Sequence, residues 1–200
     1  MFKLSCKTGQ SPYREKAIEF YNKGDFHRNN GDYDEAMRAY RQSIQADPGF
    51  LDALNNIGLL YGEKGKFDKA KEYFNKALEI DADYVQAWHN LGIVYLEEKQ
   101  YQKSMASFKT AIKLDKGMDD SWSYTGIVYY RMGDLDSALK SYQQAVKINP
   151  ESAADWFNIG EVYKDKGQFG KARQAFKTSL KLSSQYQLQI KKMLFELSSF

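Results

Sequence analysis

The 200 residues contain one cysteine, three prolines and two histidines. The single cysteine, Cys6, excludes an internal disulfide framework and a cysteine zinc site, and it favours a reducing compartment. The N-terminus, MFKLSCKTGQSPYREK, has no run of seven or more apolar residues, so it does not read as a secretory signal. No stretch of about 18 apolar residues is present to span a bilayer. His27 and His89 lie far apart in sequence, which leaves no histidine pair for catalysis or metal binding. The segment GEKGK at Gly62–Lys66 lacks the spacing and the following Ser/Thr of a phosphate-binding loop. Asp32-Tyr33-Asp34 and Asp81-Ala82-Asp83 lack the later ligands of a calcium loop. The expectation is therefore a protein that is not an enzyme, holds no cofactor and no metal, and resides in the cytoplasm, with peripheral attachment to a membrane left open.

Charge is abundant but nearly balanced, with a formal net of +3. Residues 1–100 carry 14 Lys/Arg and 16 Asp/Glu, whereas residues 101–200 carry 15 and 10. The basic excess sits on Lys103, Lys109, Lys113, Lys140, Lys147, Lys171, Arg173, Lys177 and Lys181. A solvated face explains such residues; contact with an anionic membrane or nucleic acid through phosphate neutralisation is the sharper alternative, with no specific nucleic-acid signal present.

What the chain does have is a period of 34. Trp88, Leu91, Gly92, Tyr95, Tyr101, Ser104, Phe108 and Ala111 recur one period earlier as Leu54, Ile57, Gly58, Tyr61, Phe67, Ala70, Phe74 and Ala77. One period later they return as Trp122, Thr125, Gly126, Tyr129, Leu135, Ala138, Tyr142 and Ala145. A fixed period of this length marks an array of one supersecondary unit. Glycine recurs inside the first helix at Gly24, Gly58, Gly92, Gly126 and Gly160, although glycine in a helix costs about 1 kcal/mol relative to alanine. Close approach of the second helix explains the repetition, with Ala36, Ala70, Ser104, Ala138 and Ala172 as small partners and Tyr40, Phe74, Phe108, Tyr142 and Phe176 filling space between units.

This pattern resembles the tetratricopeptide repeat (TPR), a helix–turn–helix unit. The resemblance implies an all-α solenoid, a right-handed superhelix of antiparallel helix hairpins, with repeats at 17–50, 51–84, 85–118, 119–152 and 153–184. Residues 1–16 read as a flexible leader, with helix starting near Tyr13 or Arg14. Residues 185–200 read as a C-terminal capping helix, with Tyr186, Ile190, Met193, Leu194 and Leu197 on its inner stripe.

A stacked array of this kind offers a concave groove lined by first helices. At one phase stand Asn22, Asn56, Asn90 and Asn158, with Tyr124 replacing the fourth amide. An amide both donates and accepts, so a row of them can hold an extended peptide backbone. Leu59, Ile93, Leu96, Ile127 and Tyr130 form an apolar strip beside that row, and Asn55, His89 and Arg131 rim it. Such a strip marks a binding surface. The expected function is a scaffold or adaptor that binds a peptide or partner segment. The alternative is a self-assembling structural scaffold, using the N-terminal segment around Phe2, Leu4 and Tyr13 or pairing through Leu188 and Phe195, as free-standing bacterial TPR scaffolds, including those on magnetosome membranes, do in general terms. The Lys/Asn/Arg carboxylate clamp of TPR co-chaperones is absent: the matching positions are Tyr21, Asp25, Asn56, Gln86 and Asn90. The C-terminal tails of Hsp70 and Hsp90 are therefore not expected partners.

Overall fold

The computed structural model describes residues 12–184 and 186–196. Among these residues there are eleven helices and no strand. They are α1 (Pro12–Asn29), α2 (Tyr33–Ala46), α3 (Leu51–Glu63), α4 (Phe67–Ile80), α5 (Val85–Glu97), α6 (Tyr101–Leu114), α7 (Asp119–Arg131), α8 (Leu135–Ile148), α9 (Ala153–Asp165), α10 (Phe169–Leu182) and α11 (Gln187–Glu196). The fold is an all-α TPR solenoid. α1 begins at Pro12, so residues 12–16, which the repeat register assigns to the leader, form the first turn of a helix. The rest of the expected leader lies outside the described residues.

Two compact units divide the chain, residues 1–94 and 95–200. In the first, α1 packs on α2 and α3 on α4. Its core is Ala36, Tyr40, Phe50, Ala53, Leu54, Ile57, Leu60 and Phe74. In the second, α7 packs on α8 and α9 on α10, around Tyr142, Val146, Ile159, Val162 and Ala175.

The helical glycines show why the pairs close so tightly. A Cβ built on Gly58 would lie 2.5 Å from Cε1 of Phe74. The corresponding distance is 2.6 Å for Gly126 and Tyr142, and 2.5 Å for Gly160 and Phe176. Each ring sits on the glycine of its own hairpin and, as expected, also fills space toward the next: Phe108 stacks on Tyr124, and Tyr142 packs with Ile159 and Val162. The small alanine meets the helix one turn later, as Ala70 does opposite Gly62.

Each hairpin turn needs one residue in the left-handed region. Glycine supplies it at Gly31, Gly65, Gly133 and Gly167, and Lys99 takes the position with φ 59°. The turns between hairpins use another device. Asp47, Asp81 and Asp115 each accept a bond on Oδ1 from the backbone N–H two residues on, at 3.0, 2.9 and 2.8 Å. These are Asx turns. The acidic pair at Asp81 and Asp83 is thus part of the turn chemistry. Trp88 and Trp156 tie the same turns: each indole N–H donates to a carbonyl six residues earlier, Ala82 at 2.8 Å and Pro150 at 2.9 Å. The buried hydroxyls of Ser43 and Ser179 donate to Ala17 O, in the second turn of α1, and Ala153 O, at the start of α9, pinning both helices to their partners.

The C-terminal helix lies on α10. Ile190, Met193 and Leu194 pack against Ala172 and Phe176, and Tyr186 stacks on Phe157 at 4.8 Å. Leu197 lies outside the described residues.

Candidate functional site

In the first unit, the wall built by α1, α3 and the N-terminal part of α5 is a hydrogen-bonded polar network. Asn56 donates through Nδ2 to Asp25 Oδ1 at 3.0 Å, and Tyr40 donates its hydroxyl to the same oxygen at 2.6 Å. Tyr21 Oη lies 3.4 Å from Asn56 Nδ2. Burial, then the Asp25 carboxylate, pushes the Tyr21 phenol up to about 12. Asn90 donates through Nδ2 to Asn55 Oδ1 at 2.7 Å, and Tyr84 donates to Asp52 at 2.7 Å. Asn55, Asn56, His89 and Asn90 are buried. Asn22 is exposed on α1, outside this network. Leu59 and Ile93 are half-buried. Of the amides expected to hold a ligand backbone here, Asn56 and Asn90 thus each direct an N–H to another side chain of the protein.

The second unit differs. Leu96, Glu97, Lys99, Tyr101, Tyr124, Ile127 and Arg131 line a cleft of about 280 Å³. Ile127, Tyr130, Arg131, Tyr142, Phe157, Asn158 and Glu161 line a second, of about 310 Å³. Ile127 and Arg131 belong to both, one turn apart on α7, so the two clefts adjoin along that helix. The structure therefore brings together Leu96, Tyr124, Ile127, Tyr130, Arg131 and Asn158 of the expected site.

Each wall of this cleft has a physical reason. Tyr124, which stands where the other repeats carry asparagine, stacks on Phe108 with ring centroids 5.6 Å apart. Burial first, then Asp120 and Glu97, raises its phenol above the ordinary value, so it stays a neutral donor. Tyr130 donates to Asp165 Oδ2, and burial followed by that bond pushes it up to about 12. Lys164 reaches both oxygens of Glu161 at 2.9 Å. The result is apolar surface from Leu96, Ile127 and Phe157, edged by an Asn amide, phenols and a guanidinium. Convergent polar groups around an apolar cleft are what a peptide or side-chain pocket needs.

Tyr101, Phe157 and Glu161 line the clefts but were not among the site residues expected from sequence. For the last two the signal was present: Phe157 shares its phase with Asn55 and His89, and Glu161 shares its phase with Ile93 and Ile127. Of the basic outer residues, Lys103 stands over the Tyr95 ring at 5.5 Å and Lys171 over Tyr163 at 5.4 Å, contacts that belong to the protein's own surface. No helix among the described residues is long and apolar enough to cross a membrane.

Comparison with known proteins agrees with this architecture. The sequence profile of the family described as the cilia and flagella-associated protein 70 C-terminal domain, a TPR domain, matches residues 4–199. A crystal structure of MamA is 30% identical and superposes with a TM-score of 0.69, covering 80% of this chain and 93% of that one. The crystal structure of YrrB, a TPR protein with an unusual peptide-binding site, superposes with a TM-score of 0.65 over 89% of this chain and 93% of that one. At 22% identity, that likeness is one of fold. The Photosystem I assembly protein Ycf3 of Cyanophora paradoxa is 38% identical over 52 residues, 26% of this chain. The match spans 30% of that relative's own length.

Proposed function

The chain belongs to the TPR family described as the cilia and flagella-associated protein 70 C-terminal domain, and from that premise we propose that it is a protein-interaction scaffold whose second unit binds an extended segment of a partner. The observation that carries this reading is the pair of adjoining clefts sharing Ile127 and Arg131. Leu96, Ile127 and Phe157 receive apolar side chains of the segment. Asn158 pairs with its backbone, and Arg131 with a carboxylate or carbonyl along it. YrrB, of the same fold, has a peptide-binding site, which supports binding over catalysis as the role of such a surface. The first unit contributes less: Asn56 and Asn90 are each engaged within the protein, so an Asn row acting along both units is not part of the proposal. Asp25 in that wall also argues against a carboxylate-terminated tail as its ligand, because two negative charges would meet there.

The test is selection of 12-residue peptides displayed on phage against the full chain, followed by calorimetric titration of an enriched peptide. Ile127→Asp places a charge at the junction of the clefts and is expected to weaken binding at least tenfold with the helical circular dichroism unchanged. Equal affinity in wild type and variant would refute the cleft. A second reading, self-assembly through the C-terminal helix, would place the contact at Leu188 and Phe195, 85% and 80% exposed, against the repulsion of Lys191 and Lys192 beside them. A concentration-dependent mass in light scattering that disappears in the Leu188→Asp/Phe195→Asp variant would establish it.

A further inference from the structure

The outer face of α11 has features that a groove for peptides does not require. Leu188 and Phe195 are the two most exposed large apolar side chains among the described residues. They are seven residues apart, so they fall within about 20° of each other around the helix and form one stripe. Lys191 and Lys192, both exposed, lie roughly 60° to one side of that stripe and 40° to the other. Gln187 and Gln189 continue the polar flanks. The opposite side of the helix is Ile190, Met193 and Leu194, occupied by α10. The helix is thus fully anchored by one face, and its second apolar stripe is presented outward between two lysines.

We infer that this face docks on an anionic membrane surface. Three considerations select a bilayer over a protein. First, two side chains cannot supply the roughly 800 Å² per partner of a standard protein interface. Second, lysine is depleted from the cores of protein interfaces, whereas lysines beside a Leu/Phe stripe suit a lipid headgroup layer, where the stems follow the apolar boundary and the ammonium groups reach phosphate. Third, a symmetric pair of two such helices would set Lys191 and Lys192 of one copy against the same residues of the other, a like-charge contact that opposes self-pairing through this face. The inference stands apart from the cleft on α7, which would remain free for a partner segment while α11 meets lipid.

The experiment is co-sedimentation of the full chain with vesicles of phosphatidylcholine alone and with 30% phosphatidylserine, at low and at high salt. Wild type is expected to bind the anionic vesicles at least tenfold more tightly than the neutral ones, with the difference lost in high salt. Leu188→Asp/Phe195→Asp and Lys191→Ala/Lys192→Ala should each weaken that binding about tenfold; all four residues are on the surface, and circular dichroism verifies that the fold is kept. Wild type that ignores anionic vesicles overturns the inference, as does binding that both variants retain. A dimer by light scattering that only the Leu188→Asp/Phe195→Asp variant abolishes, with no vesicle binding, overturns it in favour of self-pairing.

Discussion

Adding one methyl group to α3 should destabilise the protein at one glycine and not at another a turn away. Gly58→Ala would gain about 1 kcal/mol from helix propensity alone. Its Cβ, however, would lie 2.5, 2.8 and 2.9 Å from Cε1, Cδ1 and Cζ of Phe74, a ring only 1% exposed and held on every side. Forcing extra volume into a packed core costs about 1–3 kcal/mol. The expected sum is a net loss of about 1 kcal/mol. Gly62→Ala, whose nearest neighbour is Ala70 Cβ at 4.0 Å, is the control and should be neutral or stabilising by up to about 1 kcal/mol. Replacing the ring closes the cycle. Phe74→Leu alone should destabilise by leaving a void, but in that background Gly58→Ala should become favourable, giving a coupling of roughly 2 kcal/mol within the range known for residues in contact. Equilibrium urea unfolding followed by circular dichroism at 222 nm measures all five proteins. If Gly58→Ala is as stabilising as Gly62→Ala, or carries the same penalty with Leu at position 74, steric exclusion is not why glycine recurs at this phase.

Lys99→Gly should stabilise by about 0.5–1 kcal/mol in the same assay, because Lys99 occupies a left-handed turn position filled by glycine at Gly31, Gly65, Gly133 and Gly167. Ser43→Ala should cost about 1 kcal/mol by removing the buried donor to Ala17 O, even though alanine stands at the same phase in the repeats containing Ala77, Ala111 and Ala145. Asp155 gives a pH prediction. Burial raises its carboxyl above the ordinary value, against bonds from Ser123 and Ser152 and together with Asp119 and Asp120 nearby. The folded protein then keeps this proton at pH values where the unfolded chain has lost it. Stability linked to the group is full below the ordinary carboxylate value and falls as pH rises through the raised one. Asp155→Asn should therefore gain in Tm relative to wild type as pH rises above the ordinary carboxylate value; a difference that does not change with pH contradicts the assignment.

The period of 34 made the helix pairs, their turns and the helical glycines legible before any coordinates, because each depends on contacts that repeat with the sequence. Features that depend on a single partner were not legible in that way. Asn56 and Asn90 fall on the expected face, yet each has a hydrogen bond to a side chain 31 or 35 positions away, and nothing at their own phase reports that Asp25 and Asn55 are acceptors. The proposed site consequently lies in the second unit, where Tyr124 interrupts the amide row and leans on Phe108. Phe157 and Glu161 could have been found from their phase, but Tyr101 lines the cleft from the start of a second helix, a position the first-helix periodicity does not address. The rings over Gly58, Gly126 and Gly160 were legible too, because glycine and ring recur at one fixed spacing within each hairpin.

The most direct test of the binding account is to ask where a selected peptide sits. A benzophenone side chain at position 127 and, in a separate protein, at position 147 on the outer surface of α8 would be irradiated with the phage-selected peptide, and the adducts read by mass spectrometry. The account predicts a peptide adduct at 127 and none at 147. Labelling at 147, or equally at both, would contradict it.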